Sequence, residues 1–188
     1  MDYQSLTMSQ VFEEGEAIMT DGQKLFGHLN GEQINWKPSA DQWSVGQCLE
    51  HLIAANHEMF RVLDTILRGE KITRLWERVP AVPKLFGKLM VKLVSPGSNQ
   101  KLKAPGAARP STSSIDPGIV KVFLDHQREV IRKIKVLEDF NPAETIMTSP
   151  FAKVVIYSVL DACRLIVAHE RRHFVQAQMV MTMPEFPK

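Results

Sequence analysis

Apolar residues recur at helical spacing in four long stretches of the chain, each bounded by recognisable start or stop signals. In the first, from about Ser5 to Leu29, Met8, Phe12, Ile18, Leu25, Phe26 and Leu29 alternate with Glu13, Glu14, Asp21 and Lys24, and Gly31 is expected to close the helix. The segment Trp36 to Trp43 is turn-rich, with Pro38 disfavouring helix at Lys37, and its two tryptophans are expected to pin it onto the core. The second helix opens at the capping box of Ser44 and Gln47 and runs from about Val45 to Leu67. Its inner stripe reads Cys48, His51 or Leu52, Ala55, Met59, Val62 and Ile66. Asp116-Pro117 starts a third helix that runs to about Glu138, with Ile119, Phe123, His126, Val130, Ile134 and Leu137 on its stripe. After Asn141-Pro142, the β-like run Val154 to Tyr157 reads as an extended lead-in to the last helix. That helix opens at a second capping box, Ser158 with Asp161, and ends before Pro184 and Pro187. Its stripe is Val159, Ala162, Leu165 or Ile166, His169, His173, Gln176 and Val180. With no convincing sheet, the simplest architecture is all-α, an up-down four-helix bundle in one domain spanning residues 1–188.

Between the second and third helices, residues 69–116 form a proline-rich basic excursion. No acidic residue lies between Glu77 and Asp116, whereas Arg78, Lys84, Lys88, Lys92, Lys101, Lys103 and Arg109 are all basic. Pro80, Pro83, Pro96, Pro105 and Pro110 punctuate it. Lys84, Lys88 and Lys92 share one helical face against Leu85, Phe86, Leu89, Met90 and Leu93, which predicts a short basic amphipathic helix folded onto the bundle. By itself a helix of that length holds a membrane weakly.

The hydrophobic fraction, 44% of 188 residues, suits one well-buried core. A net charge of +2 gives no reason to expect a nucleic-acid partner. The longest apolar stretch, Val154 to Ala168, is broken by Asp161 and Arg164, so no membrane span and no membrane partner are expected. Cys48 and Cys163 sit in apolar helical patterns, and Met1-Asp2-Tyr3-Gln4 has neither a basic start nor an apolar core, so the expected location is cytoplasmic.

The polar residues on the inner stripes carry the chemistry. His169 and His173, four apart on one helix, stand about 40° from each other around the axis, so both imidazoles can reach one ion. Two ligands rarely hold a divalent ion well in water. The best third ligand is His51, although a lone histidine on an apolar face is more commonly a satisfied core residue. His126 reads as a polar core residue or a support for the ligands rather than a ligand itself. His169-Glu170-Arg171-Arg172-His173 also fits the H-E-x-x-H pattern of zinc proteases, but the downstream ligands of those enzymes are missing: Gln176 stands where glycine is needed and Met179 where histidine is needed. Glu170 either reaches an ion-bound water or is a solvated charge, and the solvated reading is preferred. Gln176 hydrogen-bonds either a ligand or a neighbouring helix. Cys48 reads as a small buried hydrophobe, leaving no evident protein nucleophile.

The run Trp43-Ser44-Val45 leading to His51-Leu52, with the closing His169-Glu170-Arg171-Arg172-His173-Phe174-Val175-Gln176, resembles the DinB/YfiT-like superfamily of metal-binding four-helix bundles. Lys103-Ala104-Pro105 and Arg109-Pro110-Ser111 are similar to a loop pattern of some members. The resemblance implies a three-histidine site at His51, His169 and His173, and relatives that are thiol-dependent transferases or isomerases alongside presumed hydrolases. The expected protein is therefore a metal-dependent enzyme that activates water or a thiol, with Glu170 and Gln176 as the candidate catalytic side chains. The alternative is a non-catalytic bundle that uses metal for sensing or structure. Zinc and nickel head the candidate ions, with iron and manganese also compatible with imidazole ligands, and a low-molecular-weight thiol is the candidate cosubstrate. The expected partners are a small, anionic substrate and a second copy in a homodimer.

Overall fold

The protein is described by a computed structural model over residues 1–70, 81–98, 100 and 103–188. Glu77, Arg78, Pro80 and Lys101 of the basic excursion lie outside the described residues. Among those described, the elements are α1 (Met8–Phe26), α2 (Gly31–Asn35), α3 (Val45–Leu67), α4 (Val82–Val94), α5 (Ile119–Leu137), strands β1 (Ile146–Thr148) and β2 (Ile156–Ser158), and α6 (Val159–Met181). Short 3-10 turns cover Tyr3–Ser5, Gly106–Ala108 and Glu138–Phe140.

Local hydrogen bonding explains the boundaries. Thr7 and Gln10 form a reciprocal capping box that starts α1, with Thr7 Oγ1 accepting from the Gln10 amide at 3.2 Å. Gly31 does not close this helix. α1 stops at Phe26, and another capping box, between Asn30 and Gln33, starts α2 at Gly31 itself. α3 has the predicted limits, and its Ser44–Gln47 box is complete. At α5 the Asp116 carboxylate accepts from the Gly118 amide at 2.7 Å, so the aspartate closes a turn and regular helix begins at Ile119. At α6 only half the expected box forms. Ser158 Oγ accepts from the Asp161 amide at 3.0 Å, but the Asp161 carboxylate pairs forward with Arg164 at 2.8 Å.

The expectation of no sheet is corrected. β1 and β2 pair antiparallel in the register Ile146 with Ser158, Met147 with Tyr157 and Thr148 with Ile156. Burial drives this: Met147, Ile156 and Tyr157 are almost fully enclosed, and pairing satisfies their backbone groups away from water.

α1 packs against α5 and α6, and α3 packs against the same two helices. Phe26, Phe123 and Phe174 meet in the core they enclose, with Phe26 edge-on to Phe174 at 5.0 Å between centroids. α4 lies outside these four, against α6 and β2. Its inward face is Pro83, Gly87, Val91 and Val94 rather than the predicted leucine-rich face, and Leu85 and Leu89 are exposed. Gly87 explains the choice, since a β-carbon there would stand 2.2 Å from Asp161 Oδ2. Only glycine allows α4 to press so close to the start of α6. No described helix is long and apolar enough to cross a membrane.

Candidate metal centre

The Ser44–Gln47 box fixes where α3 begins, and so sets His51 on its second turn facing α6. α6 returns His169 and His173 from successive turns. The three imidazoles converge: His51 Nε2 is 3.2 Å from His169 Nε2, and His173 Nε2 is 3.1 Å from the same atom. One ligating atom from each residue falls within 4.8 Å of the other two. Burial pushes His51 below its ordinary pKa, pushes His173 down to about 3, and holds His169 well below its usual range. The neighbouring rings reinforce the effect on His169 and His173, since two charged imidazoles cannot sit so close. Three uncharged rings are the form in which histidine binds a cation.

The orientation of His51 decides what the cluster is suited to hold. Its Nδ1 donates to the carbonyl of Ala108 at 2.5 Å, which places the proton on Nδ1 and turns the lone pair of Nε2 toward the other two rings. Nitrogens bound to one ion at about 2.0–2.1 Å, with angles of roughly 90–110°, stand about 2.9–3.4 Å apart. The two separations that involve His169, 3.2 and 3.1 Å, fit that arrangement, and the His51 and His173 atoms lie within 4.8 Å of each other. Without a cation, the single Nε2 proton that His169 can carry bonds one of the other two rings, whereas a cation engages all three nitrogens together.

The excursion, which leaves α3 far from His51, comes back to build one wall of this site. Gln47 Nε2 donates to the Ser111 carbonyl at 2.7 Å, and the Glu50 carboxylate accepts from the Ser111 amide at 2.6 Å and its hydroxyl at 2.8 Å. Gln47, Glu50 and His51 thus tie residues 108–111 onto α3. On the other side, Arg172 donates to the carbonyls of Leu93 and Gln100 at 2.8 and 2.6 Å. Trp43 covers the cluster, its ring 4.8 Å from His51 and stacked on His173 at 5.6 Å. The other tryptophan of that connection, Trp36, packs edge-on to Phe186. His51 and His173 are buried and His169 is part-exposed, so the centre opens to solvent on the His169 side.

The preferred reading of Glu170 as a solvated charge is overturned. Its side chain has no solvent exposure, and its carboxylate accepts from Asn56 Nδ2 at 2.8 Å and Gln127 Nε2 at 3.2 Å. Burial raises its pKa to about 7 against the opposing pull of those two amides. Being one residue on from His169, about 100° around the helix, it faces the interior between α3 and α5. Gln176 is half-buried. It lies close enough to favour the charged form of His173, yet His173 Nδ1 forms no well-shaped hydrogen bond among the described residues. His126 is not brought to the cluster. It packs between His57 and Phe60, at 4.8 and 5.2 Å. Cys48 and Cys163 are buried free thiols pushed up to about 12 by burial, which suits packing and not attack.

Sequence reasoning missed Asn56, Gln127 and the Ala108 carbonyl, and gave Trp43 a packing role without its contact to the histidines. Asn56 and Gln127 left a signal, two amides on otherwise apolar inner faces. The Ala108 carbonyl left none, because a backbone acceptor has no residue type.

Comparison with known proteins agrees with the geometry. No solved structure matches the chain. The uncharacterised protein YuaE of Bacillus subtilis (strain 168) is 27% identical over 157 residues, covering 81% of this chain and 85% of its own. The sequence model of the DinB superfamily matches residues 20–177, the span that holds all three histidines, Trp43, Glu170 and the returning loop, and the chain belongs to that superfamily.

Proposed function

We propose that this protein is a metal-dependent enzyme in which His51, His169 and His173 hold one divalent ion and a small substrate enters from the His169 side. The observation that carries this reading is the convergence of three Nε2 atoms with the His51 tautomer set by Ala108. We read α1, α3, α5 and α6 as an up-down four-helix bundle, supported by each helix packing on two of the others. An ion bound by three neutral imidazoles keeps its full charge and open positions, and so supplies Lewis acidity that makes water or a thiol nucleophilic near neutral pH.

The chain's own residues supply position and exclusion. Trp43 shields the buried side of the cluster, and the Ala108 carbonyl keeps the proton of His51 away from the ligating nitrogen. Arg172 has no acidic partner among the described residues, and its charge is near enough to lower both His169 and His173. Arg109 is exposed beside Ala108. Those two cations favour a substrate with an anionic group, such as a carboxylate-bearing thiol or its conjugate. With Glu170 occupied by Asn56 and Gln127, the proton handling expected of a protease glutamate falls to no carboxylate at the cluster, which favours thiol transfer over peptide hydrolysis.

Elemental analysis of untagged protein tests the site, with about one divalent ion per chain as the expected result. His51→Ala and His169→Ala should each lose most of that metal while keeping a helical circular dichroism spectrum. Parent-like metal content in both variants would refute the assignment. Turnover of thiol and ester substrates that depends on added metal supports an enzyme. Full metal occupancy with no turnover in such a screen would favour the sensing or structural alternative.

A further inference from the structure

The outer face of α4 is left over once the fold and the metal centre are accounted for. At 100° per residue, the buried positions Pro83, Gly87, Val91 and Val94 cluster on one side of the helix, and Leu85 and Leu89 lie almost opposite them. They are 69% and 46% exposed. Val82, Phe86, Met90 and Leu93, all half-buried, continue the apolar sector along one margin. Lys84, Lys88 and Lys92 form an exposed row along the other. None of the three lysines has an acidic partner among the described residues, and α4 contains no Asp or Glu. Pressed onto α6 through Gly87, the helix presents this face as a preformed ridge.

We infer that the outer face of α4 is a docking surface for an anionic lipid bilayer, with Leu85 and Leu89 entering the headgroup boundary and Lys84, Lys88 and Lys92 meeting lipid phosphates. Each lysine can run its methylenes along the apolar margin while its ammonium stays in the headgroup layer. A second copy of the chain is a poorer occupant, because α4 offers no acid to pair with the other copy's lysines. The association is in-plane and reversible, combining a small apolar insertion with a basic row, the two signals that peripheral binding requires. The sequence expectation of no membrane partner rested on the lack of a span and on the shortness of this helix. Neither bars shallow contact by a helix that the fold already holds in shape.

The test is cosedimentation of the full chain with vesicles of phosphatidylcholine alone, and of phosphatidylcholine with about one-quarter phosphatidylglycerol. Binding is expected to the anionic vesicles only, falling at least fivefold when salt is raised from about 50 to 300 mM. Leu85→Ser with Leu89→Ser, and separately Lys84→Gln with Lys88→Gln and Lys92→Gln, should each reduce binding at least fivefold. All five positions are exposed, so circular dichroism should stay at the parent's. Absence of binding to anionic vesicles at low salt overturns the inference, as does parent-like binding by both variants. A parent dimer in sedimentation velocity that the leucine variant converts to monomer also overturns it, assigning the face to self-contact. Binding of a polyacidic peptide to the parent and not to the lysine variant, with no binding to anionic vesicles, would overturn it by reassigning the face to an acidic protein partner.

Discussion

Asn56→Ala is the most direct probe of the buried polar brace behind the three-histidine cluster. Glu170 and Gln127 have no solvent exposure and Asn56 only 1%, so water cannot replace the donor that the substitution removes. The Asn56 bond to Glu170 is the shorter of its two, 2.8 against 3.2 Å, and the Gln127 amide is shared with the Gly15 carbonyl. A hydrogen bond to a charged group contributes about 1.5–3 kcal/mol, and a cost near 2 kcal/mol is expected when Glu170 is ionised. For a chain of this size that lowers Tm by roughly 4–8 °C. The pH dependence follows from Glu170, whose folded pKa is about 7 against 4.5 for the free group. The folded protein therefore binds more protons than the unfolded chain between those values, so parent stability falls as pH rises through them, by at most about 3 kcal/mol. Removing Asn56 deletes an interaction that favours the charged form, so the variant should decline more steeply. Chelator-treated protein would be unfolded in urea at pH 5.5 and pH 8, with the larger loss expected at pH 8. Adding Glu170→Gln should restore most of it, since neutral amides can flip to pair. A loss under about 0.5 kcal/mol at pH 8, or equal losses at both values, would refute the brace.

His126 offers a test outside the metal centre. Burial, then the charges of His57 and Lys133, lower it to about 4, so the neutral form stabilises the fold above the unfolded pKa of 6.5 and that contribution fades as pH falls toward 4. His126→Phe should therefore flatten acid unfolding by about 2 kcal/mol at pH 5, and an unchanged acid midpoint would contradict it. Gly87→Ala, whose β-carbon would meet the Asp161 carboxylate, should lower Tm by several degrees and increase proteolysis of α4, both read against the parent. Trp43 stacks on His173, so metal addition should change tryptophan emission in the parent and in Trp36→Phe but not in Trp43→Phe. Equal responses in all three would place the ion elsewhere.

What could be read from the sequence follows from what each element depends on. α3 was legible to the residue because Ser44 and Gln47 define its start by a local, reciprocal pair of bonds. The histidine pair of α6 was legible because four residues on a helix fix an angle. The face of α4 was not. Its leucines looked like the buried side, and only the contact of Gly87 with Asp161, remote in sequence, shows that the glycine side turns inward. Gly31 misled because a glycine after an apolar run usually ends a helix, whereas here Asn30 and Gln33 restart one. For Glu170 the sequence offers an ion-bound water or solvent and neither is found, because the amides that accommodate it come from α3 and α5, 114 and 43 residues away.

The carbonyl of Ala108 has a practical consequence for anyone probing this protein by mutation. Position 108 is already alanine, and any residue placed there keeps the same main-chain oxygen, so a side-chain scan passes over the group that sets the protonation of His51. Its influence is a property of the path the chain takes, not of what hangs from it. A one-residue insertion or deletion beside Ala108 would shift that oxygen while leaving all three histidines in their helices. The resulting protein would keep its helices and lose the bond that holds the proton on His51 Nδ1.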